Sequence, residues 1–252
     1  MTDLKDFLEE KVQQYNTLDF IQTDPIQIPH RYSQKEDIEI AGFLTATIAW
    51  GKRQMIIRNA DKMMQLMGNS PYDFVMSFSA NNLDKMQGFV HRTFNSDDLQ
   101  FFMKSLRNIY QQHGGLETVF SQYQTSTSMQ EAISAFRNIF FEIDHLPRTK
   151  KHISDPMKNS SAKRLNMMLR WFVRRDPQGV DLGIWQTIPT AILSCPLDVH
   201  SGNVARKLGL LTRKQNDAKA LKELDEALRI MDPKDPVKYD YALFGLGVFE
   251  GF

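Results

Sequence analysis

Residues 37–67, DIEIAGFLTATIAWGKRQMIIRNADKMMQLM, carry the clearest fold signal in the chain. The apolar residues of its first half fall at helical spacing: Ile38, Ala41, Leu44 and Ile48. Gly51 interrupts the pattern, which restarts at Ile56 and ends after Met67 in a Gly-Asn-Ser-Pro turn. This stretch therefore predicts two helices, 37–50 and 56–67, joined by a short turn.

The same periodicity extends over most of the chain. It predicts further helices at 1–17, 72–80, 97–113, 129–142, 162–174, 200–209, 217–231 and 236–249. A basic, proline-containing connection at 144–161 is expected to form a loop or short helical turns. The connection at 175–197 contains three prolines and a central stretch that favours a helix. No run of residues alternates as a strand does, so the predicted fold class is all-α.

Composition limits what the chain can be. Its 252 residues are 42% hydrophobic and 24% charged, which indicates a globular protein rather than a disordered or fibrous one. The single cysteine, Cys195, allows no internal disulfide and no metal or iron–sulfur site built on thiolates. No apolar run is long enough for a transmembrane helix, and the N-terminus lacks the apolar core of a signal peptide. We expect a cytoplasmic protein with no membrane partner.

The near-neutral net charge of +1 conceals a strong asymmetry. Residues 148–214 hold thirteen lysines and arginines but only four acids, a net charge of +9, whereas the rest of the chain carries −8. Such an asymmetry is typical of a surface that binds a polyanion, although solvated helix faces produce it too.

Asp198 is the first candidate for chemistry. It precedes the periodic run of residues 199–208, so it is well placed as the N-cap of a helix. Capping alone would explain the residue. A carboxylate held ionised at a helix N-terminus can also stabilise a positive charge that develops nearby.

Lys163 is the second candidate. On its predicted helix Leu165, Met168, Leu169 and Phe172 form the core stripe, and Lys163 shares the opposite face with Arg170 and Arg174. An ordinary solvated basic face would look the same. If the cations surround Lys163, however, they favour its neutral amine, which is a nucleophile.

Together these residues carry a family resemblance. The segment DVHSGNVARKLGL at 198–210 resembles the sequence around the catalytic aspartate of the helix–hairpin–helix DNA glycosylase superfamily. Lys163-Arg164 with the following Leu169-Arg170 resembles the lysine helix of its 8-oxoguanine glycosylase branch, whose lysine attacks the sugar. The closing DYALF at 240–244 and the turn WGKRQ at 50–54 are similar to further elements of that superfamily. Most of residues 36–248 resembles a family of conserved, uncharacterised bacterial proteins.

The sequence departs from the superfamily pattern in two places. The Gly-rich hairpin that grips a phosphate before the lysine is replaced by DPMKNSS at 155–161, which has no glycine. Lys163 and Asp198 are also 35 residues apart, a longer separation than in the family.

The resemblance implies an architecture and a set of roles. It predicts one unit, 1–252, with a central lobe of 36–195 and a second lobe of 1–35 plus 196–252, and a cleft between them. Lys163 and Asp198 would be catalytic, and the implied partner is DNA, with no cofactor or metal. The residues expected to contact DNA are Arg53 and Gln54 as a wedge, with Lys150, Lys151, Lys158, Ser160, Ser161, Arg164 and His200.

The function predicted on this basis is excision of damaged bases from DNA, with or without strand scission by a Schiff-base lyase step. Two alternatives stay open: a nucleic-acid-binding module without catalysis, and a helical adaptor that binds an acidic protein. Other enzyme classes find little support, because the six histidines never fall at metal-binding spacing and the chain has neither a Walker A loop nor a GxGxxG motif. The recognised lesion, the choice between DNA and RNA and the oligomeric state are left open by the sequence.

Overall fold

The computed structural model describes residues 2–252, and only the backbone of Thr2, so Met1 of the predicted 1–17 helix lies outside it. Thirteen α-helices occur in this part of the chain: Thr2–Tyr15 (α1), Leu18–Thr23 (α2), Lys35–Thr47 (α3), Arg53–Leu66 (α4), Pro71–Ser77 (α5), Ala80–Asp84 (α6), Ser96–Gln112 (α7), Leu116–Gln122 (α8), Gln130–Phe140 (α9), Lys163–Val173 (α10), Val199–Lys207 (α11), Ala218–Met231 (α12) and Tyr239–Phe249 (α13). A short antiparallel hairpin, Val90–His91 (β1) and Phe94–Asn95 (β2), precedes α7.

The predicted helical fold is confirmed. The helices expected at 37–50 and 56–67 are α3 and α4, which begin two and three residues earlier than predicted. The sequence pattern does not predict α2, α6, α8 or the β1–β2 hairpin, because each is too short to repeat an apolar spacing. No helix within residues 2–252 is long and apolar enough to cross a membrane.

The two long connections differ in outcome. The first, 144–161, contains short 3-10 turns, as expected. The helical stretch predicted within 175–197 is wrong, since that segment forms only a 3-10 turn at Thr190–Ile192. Its backbone bonds instead to the end of α10, where the Trp185 amide donates to the Phe172 carbonyl at 2.8 Å. Prolines cannot donate such bonds and disfavour a continuous helix.

Two hydrophobic clusters form the core. The larger cluster is built mainly from α3, α4, α7, α9 and α10, and the smaller one from α1, α11, α12 and α13. The chain passes from the larger to the smaller cluster between Leu193 and Cys195. Ile26 and Ile28 pack in the larger cluster, although the division made from the sequence assigns residues 1–35 to the second lobe.

Helix α3 is the centre of the larger cluster and is buried on nearly all sides, against α10, α4 and α5. Gly42 lies where α3 and α10 cross, and a Cβ at this position would stand 2.5 Å from the ring of Phe172. Glycine therefore allows the two helices to approach closely. The crossing holds α10, the helix that carries Lys163, in a defined place on the larger cluster.

One buried carboxylate joins three parts of this cluster. Glu39 on α3 accepts a hydrogen bond from the Trp185 indole at 2.6 Å and another from the Tyr110 hydroxyl at 2.7 Å. Burial raises the pKa of Glu39 to about 7, although the two hydrogen bonds oppose the shift. The folded protein thus keeps a proton on Glu39 at a pH where an unfolded glutamate has lost it.

This shift predicts a pH-dependent stability. Between the unfolded and folded pKa values the folded state binds more protons, so the contribution of Glu39 to stability falls as pH rises, by up to about 3 kcal/mol. We expect the free energy of unfolding of wild type to drop between pH 5 and pH 8 relative to that of Glu39→Gln, measured by urea denaturation. Parallel pH profiles for the two proteins would show that Glu39 does not titrate in this way.

Candidate active site

Asp198 is the N-cap of α11, as predicted, and the helix begins directly after it. Its Oδ1 atom accepts a hydrogen bond from the Ser201 amide at 2.9 Å, and the Ser201 hydroxyl accepts one from the Asp198 amide at 2.9 Å. This reciprocal capping box fixes the side chain, because both ends of the contact are satisfied. The Ser201 amide is bonded to Oδ1, so Oδ2 is left to face another group.

That group is Lys163. It is the first residue of α10, and its Nζ lies 3.6 Å from Oδ2 of Asp198. The lysine side chain is 30% exposed and the aspartate side chain 20%, so the pair stands at the edge of solvent rather than in the core. The structure therefore brings together two residues that are 35 positions apart in the sequence. Lys163 is on α10, which packs in the larger cluster, and Asp198 caps α11, which packs in the smaller one. An amine and a carboxylate at this separation can exchange a proton after a small movement.

Behind the pair lies a small inner pocket of about 40 Å³, which admits water but not a nucleobase. Its walls are mostly apolar and aromatic: Phe20, Met167, Pro196, Tyr241 and Phe244. Two further carboxylates, Asp24 and Asp240, and the guanidinium of Arg170 also line it. Burial raises the pKa of Asp24, and it raises that of Asp240 to about 6 against the opposing charge of Arg170.

The charges around Lys163 differ from the expected surplus of cations. Arg170 and Arg174, which share its helix face, are buried and lie against carboxylates. Arg170 bonds to Asp181 and Asp240, and Arg174 bonds to Asp181 and Asp235. Both expectations are therefore wrong for these two arginines. They do not surround Lys163 with unpaired positive charge, and they do not lie on a solvated helix face. The helix pattern cannot reveal their partners, because most of them stand far along the chain.

In front of the pair a wider cleft of about 790 Å³ opens to solvent. One wall comes from the α3–α4 turn and the start of α10, and the other from the start of α11 and the end of α13. Five of the residues predicted to contact DNA line this cleft: Arg53, Ser160, Ser161, Arg164 and His200. The cleft has room for a nucleotide, whereas the inner pocket in this conformation does not.

Arg164 is held more tightly than a surface phosphate contact would be. Its guanidinium donates to the Thr47 carbonyl and to the His152 carbonyl at 3.1 Å, and it lies 4.7 Å from the ring centre of Trp50. No carboxylate stands within ion-pair distance of it in the described part of the chain. Burial therefore lowers its pKa, to about 10. Arg164 thus fixes Trp50 in the cleft wall and leaves an uncompensated positive charge there.

The segment that replaces the Gly-rich hairpin adopts left-handed backbone without glycine. Asn159 has φ 64° and Ala162 has φ 45°, and Ala162 is the residue immediately before Lys163. Asn159 is also tied to the smaller cluster, where its carbonyl accepts from the Ala218 amide at 3.3 Å. Non-glycine residues rarely take this conformation, so the surrounding contacts must hold it.

The remaining predicted residues lie outside the cleft lining. Lys150 and Lys151 are exposed on the 3-10 turn Pro147–His152, and Lys158 is exposed at the end of the next turn. None of these lysines has a carboxylate within 4 Å among residues 2–252. Gln54 is exposed at the start of α4. Its neighbour Arg53 lies over the rings of Phe244 and Phe249 at 5.1 and 6.0 Å.

Sequence reasoning misses the inner carboxylates. Asp24 carries one signal, since it precedes Pro25 and caps a short 3-10 turn by accepting from the Ile26 amide at 3.0 Å. That signal indicates a cap and not a pocket. Asp240 stands in the quoted closing motif, but its position opposite Arg170 depends on the packing of α13. Within residues 2–252 no cluster of three or more histidine, cysteine and carboxylate side chains is placed to hold a metal ion.

The chain belongs to the family described as Protein of unknown function (DUF2400), whose model matches residues 24–249. This confirms the prediction of a conserved, uncharacterised family. The matched region contains both walls of the cleft, Lys163 and Asp198 included. No curated protein and no solved structure matches the chain.

The buried ion cluster yields a stability prediction. Arg170→Met removes the cation that Asp181 and Asp240 share, and removing one partner of a buried pair costs about 3–5 kcal/mol. We expect a loss of this size in the free energy of unfolding, measured with urea at pH 7.5. Lys158→Gln, which removes an exposed cation, should change it by less than about 0.5 kcal/mol. Equal stability of the two variants would mean that Arg170 does not join the clusters.

Proposed function

We propose that this protein excises damaged bases from DNA, with Lys163 as the nucleophile and Asp198 as the residue that stabilises charge and moves protons. The observation that carries the proposal is the approach of Nζ of Lys163 to Oδ2 of Asp198 at 3.6 Å, at the back of a cleft of nucleotide size. A lysine and an N-capping aspartate from distant segments need not meet for structural reasons. Their meeting is what the resemblance to helix–hairpin–helix DNA glycosylases implies.

The damaged nucleotide would leave the duplex and enter the wider cleft, since the inner pocket is too small for a base. Such extrusion costs a few kcal/mol, and less where a lesion weakens pairing. The half-buried Trp50, braced by Arg164, lines this cleft and offers an aromatic surface beside the entering nucleotide.

The reaction then proceeds by nucleophilic substitution at the sugar. The neutral amine of Lys163 donates its electron pair to C1′, while the bond from C1′ to the base nitrogen breaks and its electron pair leaves with the base. The base gains one proton and the nitrogen of Lys163 loses one. When the sugar ring opens, the nitrogen lone pair forms a second bond to C1′ and the C1′–O4′ electron pair moves to O4′, which takes up a proton from water. A protonated imine between Nζ and C1′ remains.

Asp198 is placed to perform the two tasks that this reaction requires. Its carboxylate faces Nζ, so it can receive the ammonium proton and pass it towards the departing base. Once the proton has moved on, the carboxylate stands beside the carbon that becomes positively charged, and helix α11 holds it there through the cap.

A nucleic-acid-binding protein without catalysis is the second candidate. One observation favours it: Lys163 is ion-paired with Asp198, a contact that can by itself hold two helices together. The same pair would then serve only to fasten α10 to α11. The two functions differ in whether Lys163 ever becomes covalently attached to DNA.

Covalent trapping distinguishes them. With wild type and a panel of lesion-containing duplexes, borohydride should reduce the imine and yield a stable protein–DNA adduct on at least one lesion. Lys163→Gln should abolish the adduct while leaving DNA affinity within a fewfold of wild type, since it removes the nucleophile but only one of many cations. Asp198→Asn should slow base release by a factor on the order of hundreds, because Asn keeps the cap but not the charge.

Lys207→Gln is the matched control, since Lys207 lies at the far end of α11 from Asp198. It should trap as wild type does. Equal loss in all three variants would indicate general damage to the fold, and normal trapping by Lys163→Gln would exclude Lys163 as the nucleophile. Absence of any adduct or base release from wild type across the panel would leave the binding function.

DNA binding makes a separate prediction. Changing Lys150, Lys151 and Lys158 together to Ala should weaken binding similarly for all sequences, because phosphate contacts do not read bases. The slope of log affinity against log salt should become shallower by about 0.9 for each phosphate that the variant no longer neutralises. Fluorescence anisotropy over a salt series measures both quantities.

Lys85, Lys104 and Lys234, which are exposed elsewhere, form the matched control triple. Their change to Ala should leave the slope nearly unchanged. If wild type shows no salt-dependent binding to DNA or RNA even at low ionic strength, the basic residues meet an acidic protein instead, as the adaptor alternative expects.

A further inference from the structure

The β1–β2 hairpin, which the sequence pattern does not predict, places one arginine in an unusual conformation. Val90–His91 pairs with Phe94–Asn95, so Arg92 and Thr93 form a two-residue turn. Arg92 has φ 54°, in the left-handed region that glycine or asparagine normally occupies in such turns. Its side chain is exposed. An arginine at this position costs backbone strain that a glycine would avoid, so its side chain needs a reason to be there.

The hairpin is held rigidly by its buried residues. Nδ1 of His91 accepts from the Asn59 amide group at 2.8 Å, and Nε2–H of His91 donates to the Trp50 carbonyl at 3.2 Å. Arg148 donates to the Thr93 carbonyl at 2.9 Å. Burial lowers the pKa of His91, so the neutral ring that these two contacts require is the form present at neutral pH. These contacts therefore hold the turn in one defined conformation on the surface.

The tip of the hairpin lies against the α3–α4 turn. A Cβ built on Gly51 would stand 2.7 Å from Nη1 of Arg92, so the guanidinium packs directly against the α3–α4 turn. Gly51 also has φ 104°, which favours glycine. Gly51 and the nearby Arg53 line the cleft, so the guanidinium of Arg92 lies beside a residue of the cleft wall.

The charges at this place are not neutralised. Among residues 2–252 no carboxylate lies within 4 Å of the side-chain nitrogens of Lys52, Arg53 or Arg92. By contrast, Arg148 beneath the hairpin pairs with the buried Asp98 at 2.8 Å. Arg148, which supports the hairpin, is thus paired with an acid, whereas Arg92 at its tip and Lys52 and Arg53 beside the α3–α4 turn are not. An anion with several negative charges along its length can neutralise such a group of cations, and a phosphodiester backbone is such an anion.

We propose that the hairpin tip and the α3–α4 turn form one composite surface, in which Arg92 and Lys52 grip the phosphate backbone of a DNA duplex at the mouth of the cleft. The ligand is taken from the proposed function, but the inference does not depend on catalysis by Lys163. The preset hairpin would hold the duplex while the target nucleotide enters the cleft. Because the contact is to phosphate, it adds affinity for every sequence and no preference among bases.

The test compares Arg92→Asn with Arg92→Lys in the full chain, using a short fluorescent duplex and a salt series. Asn tolerates the left-handed backbone but carries no charge, so it should weaken binding severalfold and reduce the salt slope by about 0.9, without loss of thermal stability. Arg92→Lys keeps the charge and should retain most of the slope. Lys104→Gln removes an exposed cation on α7 and should behave as wild type.

An unchanged affinity and slope in Arg92→Asn would overturn the inference, and so would an equal loss in Lys104→Gln. Trapping assays separate this outcome from failure of the proposed function. If wild type forms the borohydride adduct while Arg92→Asn binds normally, only the composite surface is wrong. If no adduct forms but Arg92→Asn lowers the salt slope, the surface stands and the catalytic proposal fails.

Discussion

The buried contact between Arg170 on α10 and Asp240 on α13 is the constraint on which the cleft depends. Helix α10 belongs to the larger hydrophobic cluster and α13 to the smaller, and α13 packs closely on α11. Asp181, shared with Arg174, completes the pairing, so the charges compensate each other in a largely buried place. Since Lys163 begins α10 and Asp198 caps α11, fixing α10 against α13 also fixes these two side chains against each other.

The capping box then gives Asp198 two roles at once. Oδ1 accepts the hydrogen bond that caps α11, and Oδ2 faces Lys163. The carboxylate therefore cannot rotate away from Lys163 without also breaking the cap at the start of α11. Preorganisation of this kind is what electrostatic catalysis requires, because no group has to reorient when charge develops. The opposite wall is equally fixed, through Arg164, Trp50 and the buried His91 of the β1–β2 hairpin.

Whether the sequence predicts a feature of the fold or the site depends on how far apart in the chain the interacting residues are. Most helices and the cap at Asp198 are local features, written within about ten residues, and they are predicted correctly. The approach of Lys163 to Asp198 is expected only through a family resemblance, since no spacing rule brings them together. The network of Arg170 is missed because its partner Asp240 lies 70 residues away, and a basic helix face looks the same whether water or carboxylates cover it. The β1–β2 hairpin is too short for any periodicity.

The most direct test of Lys163 as the nucleophile is to locate the borohydride-reduced adduct that the wild-type protein forms. After reduction with a duplex that carries an abasic site, proteolysis and mass spectrometry identify the modified residue. We expect a single adduct, on the side chain of Lys163. Among the residues that the structure describes, only this lysine amine faces both the cleft and the carboxylate of Asp198. An adduct on another lysine or on the terminal amine, or no adduct at all, would contradict it.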